Sequence, residues 1–161
     1  MGMMGAGKST VAELAARRLG WPIVDTDAEV EAATAKSVAE VFAERGEAGF
    51  RALESEAVAA LAASPEPLIA SVGGGAVLSL ANREALRRAG TVVWLRATPL
   101  TLAGRVGDGD GRPLLAGGAR GALERVLAER EALYMDVADV VIDVDGLSPE
   151  GVAEKLCESF G

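Results

Sequence analysis

The sequence has no histidine, a single cysteine and only three lysines. Without histidine, Ser-His-Asp triads, Cys-His pairs and His-ligated zinc are excluded, so any chemistry falls to Asp, Glu, Lys, Arg and the backbone. Cys157 is alone, which rules out an internal disulfide and gives no sign of an oxidising compartment. No apolar run approaches the roughly 18–20 residues that span a bilayer, so no membrane association and a cytoplasmic setting are expected. The formal net charge is −8 and there is no basic stripe, which makes nucleic acid an unexpected partner. An acidic chain that binds a polyanion must instead gather its positive charge locally.

What is present is ordinary globular composition, 50% hydrophobic and 25% charged over 161 residues, enough for one domain spanning residues 1–161. The spacing predicts a helix from Lys8 to Leu19 that stops at Gly20, then a short buried strand at Ile23–Asp25 and helix from Ala28 to Thr34. Ser37 to Glu40 has the form of a capping box, opening a helix that ends at Gly46, with a longer one from Glu47 to Ala63 before two prolines. Apolar strands are predicted at Leu68–Val72 and Thr91–Leu95, separated by a short helix opened by Asn82. Thr98-Pro99 and Ser148-Pro149 each read as a cap followed by proline at the first helical position. Gly121 to Met135 is expected to be helical and Asp139 to Val144 a last strand, while residues 107–121, rich in Gly, Asp and Arg, read as a mobile segment. Strands alternating with helices indicate an α/β domain with a parallel sheet.

The segment GMMGAGKST, Gly2 to Thr10, satisfies G-x-x-x-x-G-K-[ST] through Gly2, Gly7, Lys8 and Ser9, and the helix pattern follows directly. In such a P-loop the backbone of Gly5, Ala6, Gly7, Lys8, Ser9 and Thr10 converges on phosphate oxygens and the helix N-terminus adds partial positive charge. Lys8 then reaches the terminal phosphates and the Ser9 hydroxyl ligates Mg²⁺, which implies ATP or another nucleoside triphosphate as co-substrate.

Further segments resemble one family, the shikimate kinases, over essentially the whole chain. They are Asp25-Thr26-Asp27, Gly49-Phe50-Arg51 with Glu54, Gly73-Gly74-Gly75-Ala76-Val77, Arg112-Pro113-Leu114-Leu115, and Arg130 before Leu133-Tyr134. The resemblance implies a three-layer P-loop NTPase fold of the nucleoside-monophosphate-kinase-like type, with a parallel sheet flanked by helices and a lid at about 107–121. It implies an enzyme that phosphorylates the 3-hydroxyl of shikimate with ATP, a step of chorismate and aromatic amino-acid biosynthesis; a monomer is expected. Asp25 would then help hold Mg²⁺, and Asp27 would orient the shikimate hydroxyls and take the proton; helix capping by Asp25 and Asp27 is the bland alternative. Arg51 and Arg130 would clamp the shikimate carboxylate at the Gly73, Gly74 and Gly75 turn, with the Gly74 backbone N–H as a third donor and Glu54 steadying Arg51. A solvated Arg51–Glu54 pair is the competing account. Arg112 would bring a lid charge to the transferring phosphoryl group, and Arg105 would contact adenine unless it is an exposed helix-end charge.

Two features depart from the family pattern: the acidic Asp108 and Asp110 within the lid, and the absence of a basic residue in Val144-Asp145-Gly146-Leu147. A gluconate-kinase-like enzyme and a non-catalytic kinase-like binding module are the rival readings. The retained set Lys8, Ser9, Asp25, Asp27 and Arg112 weighs against the latter. One more expectation concerns the sheet. A P-loop joins a buried strand to a helix, yet only Met1 precedes Gly2, so the strand before the P-loop is missing. The natural chain is expected to carry an additional short apolar strand there.

Overall fold

A computed structural model describes residues 1–107 and 119–160. Arg112, Asp108, Asp110 and most of the segment expected to form a lid lie outside these residues.

The first helix, α1 (Lys8–Leu19), buries Val11, Ala12, Ala15 and Ala16 and stops where Gly20 turns left-handed at φ 70°. Strand β1 (Ile23–Asp25) leads into α2 (Thr26–Thr34), two residues earlier than the composition alone indicated, because Asp25 caps its first turn. Helix α3 (Val38–Ala62) starts at the Ser37–Glu40 capping box. It is interrupted at Gly46, whose φ 67° and ψ −177° are not helical, so the expected pair of helices is two segments joined at a kink. Strand β2 (Ile69–Ser71) runs into a 3-10 turn at Ala76–Leu78 and then α4 (Leu80–Ala89). The cap of α4 is Ser79, which accepts from the Asn82 N–H. Asn82 itself is buried and donates to the Ala76 carbonyl, correcting the sequence expectation. Strand β3 (Val93–Arg96), α5 (Pro99–Val106), α6 (Ala119–Val137), β4 (Val140–Asp143) and α7 (Pro149–Glu158) complete the described chain. Both Thr98-Pro99 and Ser148-Pro149 cap as expected.

Both strand pairs are parallel: β1 with β2 in register Asp25↔Ser71, and β3 with β4 in register Arg96↔Asp143. Strand β1 is less buried than predicted, with Ile23 41% exposed, because it has a neighbour on one side only. Side chains alternate across β3. Trp94 stacks on Tyr134 of α6 at 5.3 Å, while Val93 and Leu95 turn toward Val11 of α1 and Leu156 of α7, so helices cover both faces.

Between β2 and β3 the sheet is interrupted. Met1 donates from its amino group to the Val93 carbonyl (2.7 Å) and accepts from the Leu95 N–H (2.9 Å), the pattern of a parallel bridge centred on Trp94. Met1 thus joins β3 as a single bridging residue. Beside it lies a largely apolar cleft of about 350 Å³, lined by Ile69 and Ala70 on one edge and Val93 and Leu95 on the other.

Candidate active site

The phosphate-binding loop is built from backbone conformation first. Gly7, at φ 89°, caps α1 in the left-handed region with no side chain to satisfy the first-turn N–H groups. Those donors and the positive end of the helix dipole are left for an anion, and only glycine takes this conformation without strain. Lys8 extends from the same turn and donates to the Met3 carbonyl at 3.1 Å.

The parallel register places Asp25 beside Ser71, at the ends of β1 and β2, and the start of α1 brings Ser9 onto them. Ser9 Oγ donates to Asp25 Oδ2 at 3.0 Å and lies 3.5 Å from Ser71 Oγ. The other oxygen of Asp25 caps α2, accepting from the N–H of Asp27 (2.9 Å) and Ala28 (3.4 Å). Capping and metal ligation are therefore not exclusive for Asp25, since each uses a different oxygen. Among the described residues no group of three or more His, Cys, Asp or Glu could hold a metal ion. A hydroxyl with one carboxylate is what Mg²⁺ takes from a protein when phosphates and water complete its octahedron, so the donor set fits.

Two residues beyond, Asp27 opens into a cavity of about 720 Å³ that also holds Lys8, Ser9, Arg51 and Arg130. It does not cap α2. Crowding by surrounding protein, then the nearby Asp25 charge, pushes its carboxyl above the usual aspartate range, against the opposing pull of Lys8 and Arg51.

Arg51 is held on α3. Its Nη1 donates to Glu54 Oε2 at 2.7 Å and its Nη2 to Glu47 Oε1 at 3.3 Å, with the guanidinium over the Phe50 ring. Glu54 is 1% exposed and burial drives its carboxyl up, opposed chiefly by Arg51. This is not a solvated surface pair: the guanidinium is fixed by a buried partner. A Cβ on Gly75 would run into that guanidinium, so the glycine turn is what lets Arg51 lie against the backbone. Arg130, from α6, is 4% exposed on the same cavity. Among the described residues, the buried Nε atoms of both arginines and Oε1 of Glu54 have no hydrogen-bond partner, leaving polar capacity unspent at this wall.

Of the described residues expected from the sequence to bind nucleotide, metal or shikimate, all but Ala6 line this one cavity; Ala6 is 2% exposed, so only its backbone remains available. Arg105 sits at the rim, donating to the carbonyls of Gly5 and Val144 at 3.4 Å, which ties α5 to the phosphate loop and to the loop after β4. An acidic protein thus collects Lys8, Arg51, Arg105 and Arg130 around one cavity, answering the charge question its composition poses.

Sequence reasoning gave no individual role to four contributors. Glu47 was signalled only by its i−4 spacing from Arg51. Ser71 carries no local motif. Thr26 is fully buried and accepts from the Gly73 N–H at 2.9 Å, joining the start of α2 to the glycine turn. Tyr134 donates to the Gly74 carbonyl at 2.6 Å from 60 residues away.

The shikimate kinase family model matches residues 4–160. The shikimate kinase of Symbiobacterium thermophilum is 48% identical over 164 aligned residues, covering 99% of this chain and 93% of that protein. That of Moorella thermoacetica is 44% identical, covering 99% and 91%. Among solved structures, shikimate kinase from Acinetobacter baumannii in complex with shikimate aligns with a TM-score of 0.94 at 32% identity, over 99% of this chain and 89% of that one. The Aquifex aeolicus enzyme aligns with a TM-score of 0.85 at 31% identity, over 99% and 93%.

Proposed function

This chain belongs to the shikimate kinase family, and from that premise we propose that it transfers the γ-phosphoryl group of ATP to the 3-hydroxyl of shikimate, giving shikimate 3-phosphate and ADP. The observation that carries the reading is that a phosphate-binding loop and an arginine-lined, carboxylate-bearing wall share one cavity. In this reading Arg51 and Arg130 take the shikimate carboxylate, a planar acceptor suited to guanidinium forks, and so orient the ring. Asp27 accepts the proton of the attacking hydroxyl. The new bond forms between that oxygen and the γ-phosphorus as the bond to the β,γ-bridging oxygen breaks.

Lys8 and the first-turn N–H groups of α1 neutralise the charge on the phosphates. Ser9 and Asp25 would hold Mg²⁺, which would supply positive charge against the charge on the phosphates. Arg112 is assigned to the phosphoryl group and Arg105 to the adenine side on the family resemblance, the latter supported by its contact with the phosphate loop. We read the enzyme as a cytoplasmic monomer; among the described residues no helix is long and apolar enough to cross a membrane.

A coupled assay offering ATP and Mg²⁺ with shikimate, gluconate or nucleoside monophosphates tests this directly. Turnover of shikimate alone is expected; turnover of gluconate without shikimate would overturn the reading.

The clamp is tested by Arg51→Lys. Lysine keeps the charge but cannot engage Glu54, Glu47 and a carboxylate with one planar fork, so the shikimate KM should rise about 10- to 100-fold, the worth of a charged hydrogen bond or two. The ATP KM should hardly move. An unchanged shikimate KM would reduce Arg51 to a structural partner of Glu54.

A further inference from the structure

The loop after β2 is a β-turn closed by the Ala76 N–H donating to the Gly73 carbonyl at 3.1 Å. Its two central positions are Gly74 and Gly75. The peptide between the central residues of such a turn can rotate by about 180° with the ends in place, exchanging type I for type II. Type II needs φ near +80° at the third position, which most residues resist and glycine accepts. Gly75 has φ −89° and ψ −10°, the type I geometry. Nothing in the turn's own sequence selects that form over the other.

The selection comes from α6. We propose that Tyr134 is a positioning residue for the substrate pocket: by donating to the Gly74 carbonyl, its hydroxyl latches the Gly74–Gly75 peptide in the type I orientation. The carbonyl can only accept, so the phenolic proton is committed to it at 2.6 Å. Arg130, one helical turn earlier on α6, carries its charge close enough to the phenol to oppose the effect of burial on it. The residue that holds the glycine turn therefore stands beside a buried arginine of the same cavity. Burial holds the phenol protonated, its pKa pushed up to about 12, so the donor is retained throughout the working pH range.

The Gly75 N–H is trans to the latched carbonyl, and Gly75 itself lies against the Arg51 guanidinium, where any Cβ would collide. A flip would exchange donor for acceptor on each side of that peptide. In a pocket that receives a carboxylate, an acceptor in place of a donor repels the ligand. The functional part of this inference rests on the proposed shikimate reading.

The test is Tyr134→Phe, which keeps the ring and its stacking on Trp94. If the latch is lost and the competent turn falls to about a tenth of the population, the shikimate KM rises about tenfold, while the ATP KM stays within about twofold. The backbone amide resonances of Gly74 and Gly75 should shift or broaden without any substrate, and those of Gly5 and Gly7 should not. Tyr134 is the only tyrosine, so global incorporation of 3-fluorotyrosine alters this residue alone. It retains the donor and should keep the shikimate KM near that of the unmodified chain. Unchanged Gly74 and Gly75 amides, an unchanged shikimate KM, or both KM values moving together with the melting temperature would each overturn the proposal. A parent chain that uses no shikimate would instead fail the functional reading, and the substrate-free amide comparison would still decide whether the latch exists.

Discussion

Asp27→Asn should lower kcat by about 10²- to 10⁴-fold, the usual worth of a positioned general base, while the ATP KM changes little. Asparagine is nearly isosteric and keeps hydrogen-bonding capacity, but it cannot accept the hydroxyl proton. The cap of α2 is made by Asp25, so the substitution does not remove it. Folding raises the Asp27 pKa, chiefly through crowding by protein, which makes the carboxylate a better proton acceptor. Ionised Asp27 therefore costs stability at neutral pH, a cost that disappears as pH falls through the raised folded value. Asparagine removes it. The variant should be nearly inactive yet melt no lower than the parent at pH 7, and the acid limb of the kcat/KM profile, lying above the ordinary aspartate value of 3.8, should vanish with it. Full activity, or a loss matched by a fall in melting temperature, would take Asp27 out of the chemistry.

Extending the chain with five or six Val/Ile-rich residues ahead of Gly2 should raise the melting temperature by about 10 °C, several kcal/mol at the usual conversion of 2–4 °C per kcal/mol. The added segment would run along the apolar cleft between β2 and β3, continuing the parallel bridge that Met1 already makes to Val93 and Leu95. It would give both strand edges a ladder partner and bury apolar surface. It would also replace a buried ammonium, whose pKa burial and then Lys8 push from 8.0 down to about 5. Between those values the unfolded chain holds the proton and the folded chain does not. Stability of the present chain should thus climb with pH across that window, by at most about 1.4 kcal/mol per unit. The extended chain should lose that slope. Thermal melts of both chains at pH 5 and pH 8 measure both effects, and equal melting temperatures with equal slopes would show that the sheet tolerates the interruption.

Much of this architecture was legible because it is encoded locally. The P-loop needs a few glycines, a lysine and a hydroxyl at fixed spacing, and the caps at Ser37, Thr98 and Ser148 each depend on residues within one turn. Arg51, Arg130, Asp27 and the triple glycine were legible through a resemblance spread along the chain, and the structure brings them into one cavity.

By itself the sequence determined the elements, their parallel arrangement and the chemical kinds of group at the site, since propensity, capping and turn chemistry act over a few residues. Tertiary structure decided which atom of each group does what. Asp25 divides its two oxygens between Ser9 and a helix N-terminus only because β1 and β2 pair in one register. Glu54 is a buried brace for Arg51 rather than a solvated partner only because α3 turns that face inward. The orientation of the glycine turn depends on a hydroxyl 60 residues away in sequence. Hydrogen bonds and burial at that separation arise from packing, which no local pattern of residues encodes.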